Sequence, residues 1–159
     1  MKKPLFFSMM LALAACSPQQ QAAGSPTPAA SHHPESGLEV IPLSVTSQDG
    51  KVHQFKVEVA ASDEEQAKGL MFRRSMGADE GMIFPRNPPD FASFWMHNTV
   101  ISLDIIFIGT DHRVINVNAN AEPYSENARP SMGLAAAVLE LNGGRAAQLG
   151  IGPGAKVEW

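Results

Sequence analysis

The chain has 159 residues, with 12 Lys or Arg against 16 Asp or Glu, a net charge of −4, and a single cysteine. That length accommodates one domain and a tail. The acidic balance argues against a nucleic-acid partner, which needs a basic face. One cysteine excludes an internal disulfide.

The chain opens with "MKKPLFFSMMLALAAC". A basic start at Lys2 and Lys3 precedes an apolar run, Leu5 to Ala15, that is too short for a stable membrane span. This pattern predicts a signal peptide over 1–15, which is set aside in fold reasoning. Its end, Leu13-Ala14-Ala15-Cys16, resembles the lipobox of bacterial lipoproteins. The resemblance implies cleavage before Cys16 and acylation of its sulfur. Two or more acyl chains anchor stably, because each buried CH₂ contributes about 0.8 kcal/mol. Ser17 rather than Asp follows the cysteine, which by the same resemblance implies the outer membrane, with the domain facing the periplasm. A lipidated Cys16 leaves no thiol for catalysis or for a metal.

Residues 16–37 contain four prolines and almost no large apolar side chain, so a flexible lipid-anchored linker is expected. Coil statistics give it a reach on the order of 25 Å. The folded part is then expected over 38–159, with 10 Lys or Arg against 15 Asp or Glu and a net charge of −5.

Within it, 38–60 reads as two strands around Asp49-Gly50, a favoured hairpin dipeptide. Phe55, Val57 and Val59 alternate with Gln54, Lys56 and Glu58, which predicts one buried and one solvated face. Ser62 with Glu65 has capping-box spacing and predicts a short helix broken near Gly69. "GMIF" (81–84) reads as a strand stopped by Pro85, 87–90 as a rigid loop, and "FASFWMH" (91–97) as a strand. "LDIIFIG" (103–109), a turn at Thr110-Asp111, "RVINVNA" (113–119) and "AAAVLEL" (135–141) supply further strands. Residues 121–133 form the longest irregular stretch, 142–150 a turn and short helix ended by Gly150, and 155–159 a last strand. The expected fold is mainly β (α+β): a compact, mostly antiparallel barrel-like or rolled sheet of about eight short strands with two short helices.

"GLMFR" (69–73), "GMIF" (81–84), "FWMHNT" (94–99), "LDIIFI" (103–108), "VLELNGG" (138–144) and "IGPGAKV" (151–157) occur in order. Together they resemble a bacterial and archaeal family, domain of unknown function 192, over nearly all of 38–159. The resemblance implies the strand-rich fold and no established activity. Two positions depart from the usual family pattern: His97 stands where Lys or Arg is usual, and Ser102 where Pro is usual.

Strand alternation puts Phe94 and Met96 on one face and Trp95 and His97 on the other. Asp104 and Glu140 sit within apolar runs, where an unpaired carboxylate costs several kcal/mol. For Asp104 the candidate partners are Arg73, His97 and the backbone amides of 98–102, and the carboxylate would pin that turn. Glu140 would face solvent or pair with Arg73 or Arg145. The leading expectation is a non-catalytic binding groove lined by Arg73, Trp95, His97, Asn98, Thr99, Asp104 and Glu140, with 121–133 as its lid. An aromatic face beside polar groups suits a sugar-like or peptide-like ligand. One alternative is a hydrolase acting on an envelope polymer through Asp104 and Glu140, which needs the carboxyls roughly 5–10 Å apart. The other is copper binding through Met96, His97 and another methionine. No nucleophile elbow, phosphate loop, dinucleotide fingerprint or metalloprotease helix is present, so no cofactor is expected, and the domain is expected to be monomeric.

Overall fold

The computed structural model of the chain describes residues 31–159. The expected signal peptide, Cys16 and the first part of the expected linker lie outside these residues. Eight strands and two short helices follow in the order β1 (Ser31–His32), β2 (Glu39–Thr46), β3 (Val52–Val59), α1 (Asp63–Lys68), β4 (Glu80–Phe94), β5 (Leu103–Gly109), β6 (Val114–Ala121), β7 (Arg129–Asn142), α2 (Arg145–Leu149) and β8 (Lys156–Glu158).

The strands form one sheet in the order β1-β2-β3-β4-β7-β5-β6, with β8 added beside β2. The β3–β4 pair is parallel; the other pairs are antiparallel. The sheet rolls so that β8 also bridges to the residues before β6, through Arg113 opposite Lys156 and Val157 N–H donating to His112 O at 2.8 Å. The mainly β, rolled architecture thus follows the expectation from strand count and from the lack of strand–helix alternation.

Local signals act as read. Asp49 and Gly50 close the β2–β3 hairpin, with Gly50 at φ 81°. Ser62 caps α1 in a full capping box: its side chain accepts from Glu65 N–H, and Glu65 accepts from Ser62 N–H. Gly150 ends α2 with φ 66°.

The prolines behave differently. The chain runs as one element from Glu80 to Phe94, where Pro85 was expected to stop a strand. Pro85 is still opposite Ala137 and Asp90 is opposite Ala135, so residues 86–89 bulge out of the ladder. Prolines lack the N–H that the ladder needs, and the bulge accommodates them without ending the strand. At the far end the strand stops at Phe94, three residues before the expected His97. β7 begins at Arg129, so the irregular stretch shortens to 122–128.

The linker expectation also needs correction over 31–37. Ser31 and His32 pair with Val40 and Glu39. Ser36 Oγ donates to Glu58, and Glu35 reaches Arg73 Nε at 3.1 Å. This segment covers one end of β3, so Glu58, expected on a solvated face, is 3 % exposed. Arg73 answers it bidentately, Nη1 to Oε1 at 2.8 Å and Nη2 to Oε2 at 3.0 Å. A buried pair of this kind resists loss of either partner, which would strand the other charge.

Apolar residues cover both faces of the sheet. β5 is buried along its whole length, with Ile106 and Ile108 in one core and Leu103, Ile105 and Phe107 in the other. β4 and β7 cross closely at Gly81, where a Cβ would come within 2.5 Å of Glu140 O.

Asp104, fully buried on β5, ties the sheet to α2. Its Oδ1 accepts from Asn120 N–H at 2.8 Å and Gly144 N–H at 2.9 Å, and its Oδ2 from Ala146 N–H at 2.7 Å. Gly144 holds φ 82°, a conformation suited to glycine. Asp104 therefore pins a turn, but it is the 142–146 turn together with Asn120, and the amides of 98–102 play no part. Asp104→Asn replaces one acceptor oxygen with an amide group that faces an N–H. Thermal melts should show Tm lower by roughly 5–10 °C, the equivalent of about 1–2 kcal/mol. An unchanged Tm would refute this anchoring role.

Candidate functional site

The predicted site residues separate into three places. Arg73 belongs to the cluster with Glu58 and Glu35, with His33 Nε2 3.4 Å from its Nη1. Asp104 belongs to the α2 anchor. Trp95, His97, Thr99 and Glu140 come together in a small cleft of about 40 Å³. Its other walls are Phe84 and Phe94 from β4 and residues 66–71, the end of α1 and the turn after it.

Asp104 and Glu140 do not form a carboxylate pair. Asp104 is opposite Leu141, and Glu140 is opposite Ile105. Neighbours along a strand point to opposite faces, so the sheet separates the two carboxyls. Asp104 lies on the α2 side and Glu140 on the side of Met82 and Ile105. This register overturns the geometry needed by the two-carboxylate hydrolase.

The copper arrangement is likewise not assembled at Met96 and His97. Met96 is fully buried in the core on the Glu140 side of the sheet. His97 is partly exposed, with Nδ1 2.7 Å from Glu126 Oε1. Among the described residues no group of three or more His, Cys, Asp or Glu side chains could hold a metal ion.

The pairing of Trp95 with His97 is present, although both leave the strand. Their rings stack at 4.9 Å and 22°. Trp95 is 53 % exposed at the mouth of the cleft. Behind it, Phe84, Phe94 and Phe107 form an edge-to-face series with centroid spacings of 5.0 and 6.1 Å. Thr99 is buried, and its Oγ1 donates to His97 O at 3.2 Å.

Three loops meet here through backbone bonds. Phe72 N–H donates to Asn98 O at 2.9 Å, Met96 N–H to Ser125 O at 2.9 Å, and Tyr124 N–H to Thr99 O at 3.1 Å. Asn98 thus acts through its backbone. Phe72, Asn98 and Tyr124 adopt φ of 63°, 52° and 59°. For bulky side chains this region is costly, and such residues cluster at functional sites. The conformation leaves the Phe72 and Tyr124 rings more than half exposed. Neither residue was singled out from sequence, since no local pattern marks a left-handed phenylalanine. The 122–128 loop, part of the expected lid, is fastened to the 96–99 loop by the contacts of Tyr124, Ser125 and Glu126.

Glu140 is the unusual group. It is 4 % exposed. Neither expected arginine reaches it, because Arg73 is taken by Glu58 and Arg145 binds Asp79 at 2.6 Å. Among the described residues its carboxyl has no hydrogen-bond or ion-pair partner, and burial pushes its pKa up from 4.5 to about 8. At neutral pH it is mainly the neutral acid, able both to donate and to accept.

A larger groove of about 540 Å³ lies on the other side of the 68–71 segment, lined by Glu35, Ser36, Ser62, Glu65, Phe72 and Arg73 among others. Several of its polar groups are already engaged, Glu65 in the helix cap and Arg73 with Glu58. The smaller cleft holds the buried carboxyl that no described residue meets, and is the better candidate.

A folded pKa above the unfolded one stabilises the protein at low pH, and that stability is lost as pH rises from 4.5 towards about 8. Glu140→Gln removes the titration. The variant should match the parent near pH 5 and melt at a higher temperature at pH 8–9, by on the order of a few kcal/mol. Parallel pH profiles for both proteins would contradict a buried, unpaired carboxyl.

Residues 44–159 match the family described as domain of unknown function 192, uncharacterized ACR. A crystal structure of a protein of unknown function from Novosphingobium aromaticivorans is 57 % identical, covers 86 % of this chain and all of its own, and superposes with a TM-score of 0.80. A structure from Sinorhizobium meliloti, described as a candidate transcription regulator, is 35 % identical, covers 76 % of this chain and 94 % of its own, and has a TM-score of 0.74. No curated protein matches the chain. With the family pattern running from the end of β2 to the last residue, the chain belongs to the domain of unknown function 192 family.

Proposed function

We propose that this protein is a non-catalytic binding module of the cell envelope, held by lipid at Cys16 on the periplasmic face of the outer membrane. It takes a small ligand, or a segment of a partner, at the Trp95–His97–Glu140 cleft. The observation that carries the reading is Glu140: a buried carboxyl without a partner among the described residues, open to a cleft beneath an exposed indole. Leaving such a group unsatisfied is costly, and a ligand able to hydrogen-bond it would recover that cost. The exposed indole of Trp95 offers apolar contact at its mouth. A sugar-like or peptide-like ligand presents both the polar group and the apolar face that this arrangement suits.

The separation of Asp104 from Glu140 favours binding over two-carboxylate hydrolysis. The acidic charge of 38–159 gives no reason to carry the description of the Sinorhizobium meliloti protein over to this chain. The anchor rests on Leu13 to Cys16 and the proline-containing stretch after it.

Trp95 can report on the cleft once Trp159 is changed to Phe in a full mature chain carrying Cys16→Ser. Titration with a panel of oligosaccharides and short peptides should give a saturable change in emission, and calorimetry should show that binding weakened in Trp95→Leu. Silence across the panel would reject the cleft as a binding site. In cells, Cys16→Ser should move the protein from the membrane fraction to the soluble one, and continued membrane association would reject the lipid anchor.

A further inference from the structure

We propose that the group recognised at the floor of the cleft is an unbranched primary ammonium, as at the end of a lysine side chain, which pairs with the Glu140 carboxylate between the aromatic walls. This rests on the binding reading above and specifies its ligand.

Size is the first argument. The cleft holds about 40 Å³, far below the roughly 300–1,000 Å³ of a usual small-molecule site. A space of that size suits a narrow end group, such as an ammonium with its adjoining methylene.

Chemistry is the second. The cleft combines a carboxyl with the aromatic rings of Phe84, Phe94 and Trp95. Aromatic faces attract a cation through their quadrupole, most strongly when it is desolvated, and a carboxylate supplies the counter-charge. No resident cation is bound to Glu140 among the described residues. Its strand neighbours Met82 and Ile105 are uncharged. The ionisable groups that share the cleft are Lys68 at the end of α1 and His97 in the loop after β4, and neither lies within ion-pair distance of Glu140. The surrounding domain is acidic, which draws cations towards it.

This assignment has a distinctive proton linkage. The free carboxyl is protonated below about pH 8, and pairing with an ammonium requires it to ionise. Binding therefore releases a proton, and affinity should rise about tenfold per pH unit between pH 6 and pH 8 before levelling. A neutral hydroxylated or amide ligand would use the protonated acid, and its affinity would be flat below pH 8 and fall above it.

The test uses the full mature chain with Cys16→Ser and Trp159→Phe, titrated calorimetrically and by Trp95 emission at pH 6, 7 and 8. The probes are Nα-acetyl-lysine methylamide, its Nε-acetylated counterpart, and glucosamine. The expected result is saturable binding of the lysine derivative that strengthens with pH and is lost on Nε-acetylation. Glu140→Gln, which should fold at least as well as the parent, is expected to lose this binding at least tenfold. Equal binding of the acetylated probe, undiminished binding by Glu140→Gln, or affinity that does not rise with pH would overturn the ammonium assignment. Glu140-dependent binding of glucosamine or of neutral oligosaccharides alone would overturn it too, while leaving the cleft as a binding site.

Discussion

A carboxyl group taken out of water must be met by donors, by a cation, or by a proton, and this sheet takes three of them inside. Asp104 is met by three backbone amides, Glu58 by Arg73, and Glu140 by no described residue. Each solution organises a different part of the molecule. The amides that satisfy Asp104 belong to Asn120, Gly144 and Ala146, so one side chain joins β5, the end of β6 and the first turn of α2. The arginine that satisfies Glu58 comes from the turn after α1 and draws the 31–38 segment over the end of β3. Glu140 retains its proton and stands open to the cleft.

The same accounting explains why the candidate site lies where it does. The 69–73, 95–99 and 122–128 segments meet over the Glu140 face of the sheet and bond to one another through their backbones. Their left-handed residues turn Phe72 and Tyr124 outward. The apolar core below is complete, with Met96 and Phe107 fully buried. The cleft is therefore a local opening above a finished core, lined in part by the buried Glu140 carboxyl.

Much of the fold was legible in the residues. The hairpin at Asp49-Gly50, the Ser62–Glu65 box and the glycine that ends α2 each depend on atoms a few positions apart. The buried Asp104 and Glu140 were visible as polar interruptions of apolar runs, and Trp95 with His97 as neighbours on one side of the chain. Their partners were not legible. Asp104 reaches Asn120, Gly144 and Ala146 across 16, 40 and 42 residues, and nothing local distinguishes those amides from the nearer ones of 98–102. The alternation around Glu58 suggested solvent, because the segment that covers it is a proline-containing stretch that carries no core pattern. The prolines of 85–89 suggested a break, yet a bulge lets β4 continue past them.

The sequence by itself determined the strand-rich class, the turns and caps, the family pattern, and the presence of two carboxyls where carboxyls are costly. These follow from side-chain period and short-range hydrogen bonding, which act within a few residues. Only the tertiary structure decided that Asp104 and Glu140 lie on opposite faces, that Arg73 answers Glu58, and that Glu140 meets no described partner. Those outcomes depend on the register of β5 against β7 and on which loops pack over which face. A shift of one residue in that register would exchange the faces of every side chain.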